Sequence, residues 1–209
     1  MSKPVFFIDD DELERRSCVD VLREIFVGTS IQIEPRAPLP TLADYSSFIA
    51  NNVAAALILD EHLNTAGGVN YTGAELAAHL RAIGGSLPIV ILTNYPDDDF
   101  APQGWAVENI VAKRCVINNP TSPEALAFKA RLSRQIEIAG AVLAEREQRF
   151  HELLIKSSRE KLAPDEEKEL RLLEGERMAS VAGYEREKQI RLDSNIGALK
   201  KLLGRDNFL

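Results

Sequence analysis

Ala54–Ala55–Ala56–Leu57–Ile58–Leu59–Asp60 is a short, wholly apolar run that ends abruptly in a carboxylate. A continuous apolar run of this length, without alternation, reads as a strand buried on both faces. The acid therefore stands at the carboxyl end of a core strand. In open α/β sheets ligands bind along that rim. One strand-end aspartate says little, so the rest of the chain must be read for matching chemistry at the same edge.

Upstream, Val5–Phe6–Phe7–Ile8 is a second apolar run, and it passes straight into Asp9–Asp10–Asp11–Glu12. Helical spacing follows, with Leu13, Cys18, Val19, Val21, Leu22 and Phe26 on one stripe and Gly28 as the stop. Ile31–Gln32–Ile33 alternates as a strand. Pro35, Pro38 and Pro40 then form a connector to a helix from near Thr41, with Leu42, Tyr45, Phe48 and Ile49 inward. Downstream of Asp60 lies a loop rich in Gly and Asn, residues 64–70. A helix over about Thr72–Ile83 comes next, closed by Gly84–Gly85. Leu87–Pro88–Ile89–Val90–Ile91–Leu92 is a further buried strand, ending in Thr93–Asn94. Pro96, three aspartates, Pro102 and Gly104 leave room for only a short irregular helix. Asn109–Ile110–Val111–Ala112 is the last strand, ending at Lys113. Strands alternating with helices in this way predict an α/β fold, a doubly wound five-stranded parallel sheet.

Charge narrows the partners. The net charge of −7 is uneven: residues 1–123 hold 8 Lys and Arg against 16 Asp and Glu, and the remainder hold 17 against 16. Neither part has the basic excess of a phosphate-backbone binder, so no nucleic-acid partner is expected. The apolar runs are too short to span a bilayer, so no membrane partner is expected either. The first residues lack the pattern of a secretory leader. Cys18 and Cys115 are too few for a disulfide framework, which predicts two buried thiols in a cytoplasmic protein.

Four of the five strands end in a reactive group: Asp9 and Asp10, Asp60, Thr93 and Lys113. In a parallel sheet these ends share one edge. Carboxylates packed together repel unless a cation neutralises them. Oxygen ligands suit a hard divalent ion such as Mg²⁺. A hydroxyl and an ammonium at the same place suit the oxygens of a transferring phosphoryl group.

With those residues in that order, Pro4–Asn119 resembles the receiver domain of two-component response regulators, which has a flavodoxin-like fold. The family's acidic pair matches Asp9 and Asp10, its phosphoacceptor Asp60, its hydroxyl Thr93 and its lysine Lys113. The resemblance implies that Asp60 takes a phosphoryl group from a histidine kinase or phosphotransfer protein. Asp9 or Asp10, Asp60 and the backbone carbonyl of His62 would hold Mg²⁺, while Lys113 and Thr93 would meet the phosphoryl oxygens. Hydrolysis would reset this switch, so self-phosphorylating and autodephosphorylating activity at Asp60 is expected rather than metabolic catalysis. The chain departs from the family at Arg114, where a proline is usual, at Ile110, where an aromatic is usual, and at Asn94, where a small residue is common. The loop after Asp60 is also longer, and Asn70 or Tyr71 is expected to reach over the site. A non-phosphorylated pseudo-receiver acting as scaffold or adaptor is the alternative reading.

The receiver is assigned to residues 1–121 and a helical extension to 122–209. Ser122–Pro123–Glu124 is a helix start, with Ser as cap and Pro in the first turn. Leu132, Ile136, Ala139, Leu143, Phe150 and Leu154 follow in heptad-like steps, with Arg146 filling the skipped position. A break near Leu162–Ala163–Pro164–Asp165 precedes a second helical region. It carries Leu170, Leu173, Val181 and Tyr184, then Leu192, Ile196, Leu199 and Leu203. The expectation is a helical hairpin or coiled coil that folds back or is shared in a homodimer, and that docks a protein partner.

Overall fold

The computed structural model describes residues 4–52, 54–82, 87–97 and 106–175. Five strands alternate with helices: β1 Pro4–Ile8, α1 Glu12–Ile25, β2 Gln32–Arg36, α2 Asp44–Asn52, β3 Ala56–Leu59, α3 Gly73–Ala82, β4 Ile89–Thr93 and β5 Asn109–Ala112. Two helices follow β5, α4 Lys113–Ile117 and α5 Pro123–Ser157. A further stretch, α6, occupies residues 164–175. The sheet is parallel throughout, in the order β2-β1-β3-β4-β5. This is the doubly wound arrangement that the alternating pattern predicts.

Alternation within each strand divides the core into two layers. Val5, Phe7, Ile58, Val90 and Leu92 face α1 and α5, packing against Val19, Leu22, Phe128 and Leu132. Phe6, Ile8, Leu57, Leu59, Ile89 and Ile91 face the opposite layer with Tyr45, Leu76, Ala77 and Leu80. β1 and β3 are apolar at every position, and β4 up to its last residue Thr93, because both their faces are covered. β2 runs through Pro35 to Arg36, further than the alternation at Ile31–Ile33 suggests. As an edge strand it tolerates a residue that cannot donate a hydrogen bond. Leu13, expected on the inward stripe of α1, is 79% exposed, because that helix begins beyond the sheet edge. Cys18 is buried as expected, and burial pushes its thiol up to about 12. Cys115 is exposed, because α4 turns Lys113 and Val116 inward and this residue outward. The region expected as a short fourth helix falls mostly on residues 98–105, outside the described residues, as do Ile83, Gly84 and Gly85.

α5 starts as the sequence predicts, with the Ser122 hydroxyl accepting from the Ala125 N–H and Pro123 in the first turn. Its first part is anchored to the sheet by Ala125, Phe128 and Leu132. At 35 residues it is about 50 Å long and outruns the sheet. The chain breaks after Ser157 and returns as α6. Arg149 donates to Glu169 at 2.7 and 2.9 Å, and Lys156 to Glu166 at 2.7 and 2.9 Å, so the two helices run antiparallel. Leu153 is 1% exposed between them.

The hairpin contact does not use the heptad line. At about 100° per residue, the face formed by Arg149, Leu153 and Lys156 is turned roughly a quarter turn from the line of Leu132. α6 therefore covers that face and leaves the heptad line open, with Leu143 50% and Leu154 44% exposed. Leu153→Ala is expected to remove about 2–3 kcal/mol of packing between α5 and α6. Hydrogen exchange should speed up across 164–175 while the sheet amides keep their protection. Unchanged protection in 164–175 would refute this assignment of the hairpin contact. Val181 and Tyr184, with the apolar positions from Leu192 to Leu203, lie outside the described residues.

Candidate functional site

Strand register brings the predicted acids together. Ile8 pairs with Leu59, and the Asp60 N–H donates to the Ile8 carbonyl at 2.8 Å, so Asp9 and Asp60 leave adjacent strands side by side. β1 and β3 flank the point where the strand order reverses, the crevice of a doubly wound sheet. Leu92 pairs with Val111 and Thr93 with Ala112, which carries Thr93 and Lys113 to the same edge.

Lys113 is the hub. It is 3% exposed and opens α4, so its ammonium is held under the edge rather than in solvent. Its Nζ lies 2.8 Å from Asp9 Oδ2, 2.9 Å from Asp60 Oδ1 and 2.9 Å from Glu14 Oε1. Burial works against the charged lysine. The charges of Asp60 and Asp9, with their hydrogen bonds, more than offset it and hold the pKa above the ordinary lysine value. Burial also raises the Asp9 carboxyl above its ordinary value, opposed by the hydrogen bond and charge of Lys113.

The remaining oxygens are partly engaged. Asp9 Oδ1 accepts from the Asp11 N–H at 2.9 Å, and Asp60 Oδ2 accepts from the His62 N–H at 3.0 Å. Asp10 Oδ2 accepts from the Ala66 N–H, which ties the long loop after β3 to the acidic pair. The loop thus reaches the site through Ala66. Tyr71, expected over the site, is turned inward, its hydroxyl donating to the Leu39 carbonyl and lying 3.2 Å from that of Tyr45. The Thr93 hydroxyl is fully buried and accepts from the Tyr95 N–H at 3.1 Å, while the Tyr95 ring meets His62 edge-on at 5.1 Å.

Asp9, Asp60 and Lys113 are therefore in direct contact, with Asp10 and Thr93 flanking them. Sequence reading missed Glu14, which reaches back from the first turn of α1. Its available signal is position: side chains lean toward the helix N-terminus, here the site. Gly73, at the start of α3, was also missed, and a side chain there would strike the Asp60 carbonyl.

A hard divalent cation fits this donor chemistry. No group of three or more His, Cys, Asp or Glu that could hold a metal occurs among the described residues. Mg²⁺, however, needs only one or two carboxylates with water and phosphate oxygens. Asp9, Asp10 and Asp60 offer those oxygens, and so does the His62 carbonyl, which accepts from the Thr65 hydroxyl at 3.3 Å.

No protein-family profile and no curated protein sequence matches the chain. Several solved structures do. The response regulator TrrA from Thermotoga maritima, in complex with Mg²⁺ and beryllofluoride, is 17% identical; the match covers 64% of this chain and 98% of that one, with a TM-score of 0.45. The RcsB response regulator of Salmonella typhimurium is 16% identical, with 88% and 93% covered and a TM-score of 0.43. A 3-dehydroquinate dehydratase-like protein from Bifidobacterium longum is 10% identical, with 66% and 98% covered and a TM-score of 0.41. No helix among the described residues is long and apolar enough to cross a membrane.

Proposed function

We propose that residues 1–121 are a phosphorylatable receiver and residues 122–209 its helical output. The observation that carries this reading is one buried ammonium, Lys113, joined to both Asp9 and Asp60 at the switch point of the sheet. An oxygen of Asp60 attacks the phosphorus of a phosphohistidine on a kinase or phosphotransfer protein. The P–N bond breaks as the O–P bond forms, and the leaving imidazole takes up a proton. Lys113 is placed to pair with the phosphoryl oxygens, and Thr93 to bond one of them once it turns from Tyr95. Asp9, Asp10, Asp60 and the His62 carbonyl would hold Mg²⁺, which when bound neutralises charge on the transferring group. Water then cleaves the O–P bond, returning the carboxylate and releasing phosphate.

We assign the protein to the cytoplasm and its signal to the tail. The open line of Leu143 and Leu154 on α5 supports pairing with a second copy or docking of a protein partner. The sparse positive charge of the first part gives no support to a nucleic-acid partner.

Incubation with Mg²⁺ and a small phosphodonor such as acetyl phosphate, followed by intact-mass measurement, tests the central claim. Wild type should gain the mass of one phosphoryl group, and Asp60→Asn should not. Wild type that stays unmodified, both with acetyl phosphate and with a phosphorylated histidine phosphotransfer domain, would favour the scaffold reading instead.

A further inference from the structure

Each of the three N–H donors of Lys113 can be matched to a different carboxylate: Asp9, Asp60 and Glu14. The three partners differ in burial. The side chain of Glu14 is 39% exposed, against 1% for Asp9 and 10% for Asp60. The same Glu14 Oε1 also accepts from Asn94 Nδ2 at 3.0 Å. A continuous polar chain therefore runs from Asp60 through Lys113 and Glu14 to Asn94, the first residue after β4. Its neighbour Tyr95 is bonded through its N–H to Thr93 and meets the ring of His62.

We propose that Glu14 is a positioning residue that fastens the segment after β4 to Lys113 while Asp60 is unmodified, and lets it go when Asp60 carries a phosphoryl group. This rests on the receiver reading above. Phosphorylation removes the charge of the Asp60 carboxylate and puts a phosphoryl group of about two negative charges, with new acceptor oxygens, beside Lys113. An ammonium has only three donors, so an added phosphoryl contact requires one carboxylate to yield. Asp9 is buried, and leaving it unpaired is costly. Asp60, once phosphorylated, is no longer a charged carboxylate, yet it keeps one carbonyl oxygen near Lys113 and adds the phosphoryl oxygens as further acceptors. Glu14 is the most exposed of the three, so its carboxylate is hydrated on release and costs least to set free. Once Glu14 leaves, Asn94 loses its link to the site. Ile110 takes no part in this route, so the link does not depend on an aromatic residue there.

NMR of the full chain tests the proposal through the side-chain amide signal of Asn94, assigned with Asn94→Ser. Without any ligand, Glu14→Ala and Lys113→Met should each move that signal toward the position of a hydrated amide. Glu14→Gln, which keeps an acceptor oxygen, should leave it near the wild-type position. A purely structural role for Glu14 would not separate Gln from Ala in this way. Mg²⁺ with beryllofluoride should then move the wild-type signal to the Glu14→Ala position and produce no further change in Glu14→Ala. Beryllofluoride uptake is read separately from the bound fluorine resonance. Uptake with an unmoved Asn94 signal overturns the Glu14 proposal alone. Absence of uptake overturns the release step together with the receiver reading. An Asn94 signal in unliganded Glu14→Ala identical to wild type overturns the tether.

Discussion

Replacing Lys113 with methionine is expected to destabilise the protein by about 3–5 kcal/mol at neutral pH, the usual cost of stranding buried charge. Methionine nearly matches the length of the lysine stem, so the loss is of charge rather than packing. Asp9 and Asp60 would then stand on adjacent strands with no cation between them. The sign of the pH dependence follows. In the wild type, Lys113 has a folded pKa above its ordinary value. Its contribution is fully present below the unfolded lysine pKa and fades only as pH rises through the folded value. In Lys113→Met the situation concerns acids. Burial already raises Asp9, and removing the lysine takes away the group that opposes that rise. An acid whose folded pKa lies above its unfolded value is most favourable at or below the unfolded value, about 3.9 for Asp. That advantage is lost as pH climbs to the folded pKa. The deficit of the variant should therefore be largest at neutral pH and shrink on acidification. Urea melts of both proteins across this range measure it. Asp60→Asn in the Lys113→Met background should recover part of the loss, giving a coupling energy well above zero in the double-mutant cycle. Additive losses, or a deficit that grows toward acid, would show that Lys113 does not neutralise these carboxylates. Mg²⁺ should also stabilise Lys113→Met more than wild type, since the competing cation is gone.

The same cluster marks what a sequence can and cannot carry. Asp9, Asp60, Thr93 and Lys113 were legible because each ends an apolar run, and a parallel sheet places all such ends on one edge. That inference needs only the period of the strands and the hand of the crossovers. Glu14 ends nothing. It sits in a charged first turn beside Glu12, and only the three-dimensional path of α1 points it at Lys113 rather than at water. The two core layers were equally legible, since β1 and β3 are apolar throughout and β4 up to Thr93. The tail was legible as helices but not as a contact. Its apolar line at Leu132, Leu143 and Leu154 is a property of α5 alone. The face that α6 covers is decided by where the chain turns after Ser157 and by the pairs Arg149–Glu169 and Lys156–Glu166. Charged residues at those positions look like any solvated helix surface until the partner helix is in place.

Gly73→Ala is the second large effect expected, and it tests how tightly α3 is set against the phosphoacceptor. Gly73 is buried and opens α3, and its N–H donates to the Glu61 carbonyl at 2.9 Å. A Cβ on this residue would lie inside the contact distance of the Asp60 carbonyl oxygen, with the Asp60 carbonyl carbon and Glu61 Cα each at 3.2 Å. All three obstacles are backbone atoms, so no side chain can rotate aside. Either α3 backs away from the sheet or the Asp60–Glu61 peptide moves. The first would pull the Ala74 N–H from Glu61 Oε2, now at 2.9 Å, in a place where burial already raises the Glu61 carboxyl. The second would displace the carboxylate of Asp60 from Lys113. A cost of about 3 kcal/mol in stability is expected, at the upper end for overpacking because the clash is with backbone. Gly68, in the loop before α3, provides the control: nothing lies within 4 Å of a Cβ there, and Gly68→Ala should change stability by no more than about 0.5 kcal/mol. Acyl-phosphate formation separates the two routes. If the Asp60 peptide moves, the initial rate of phosphorylation should fall by up to about 100-fold, the cost of a misplacement near 1 Å. If α3 moves instead, the rate survives in the folded fraction while protection of the α3 amides is lost. A Gly73→Ala protein as stable and as reactive as Gly68→Ala would mean that α3 does not bear on Asp60 at all.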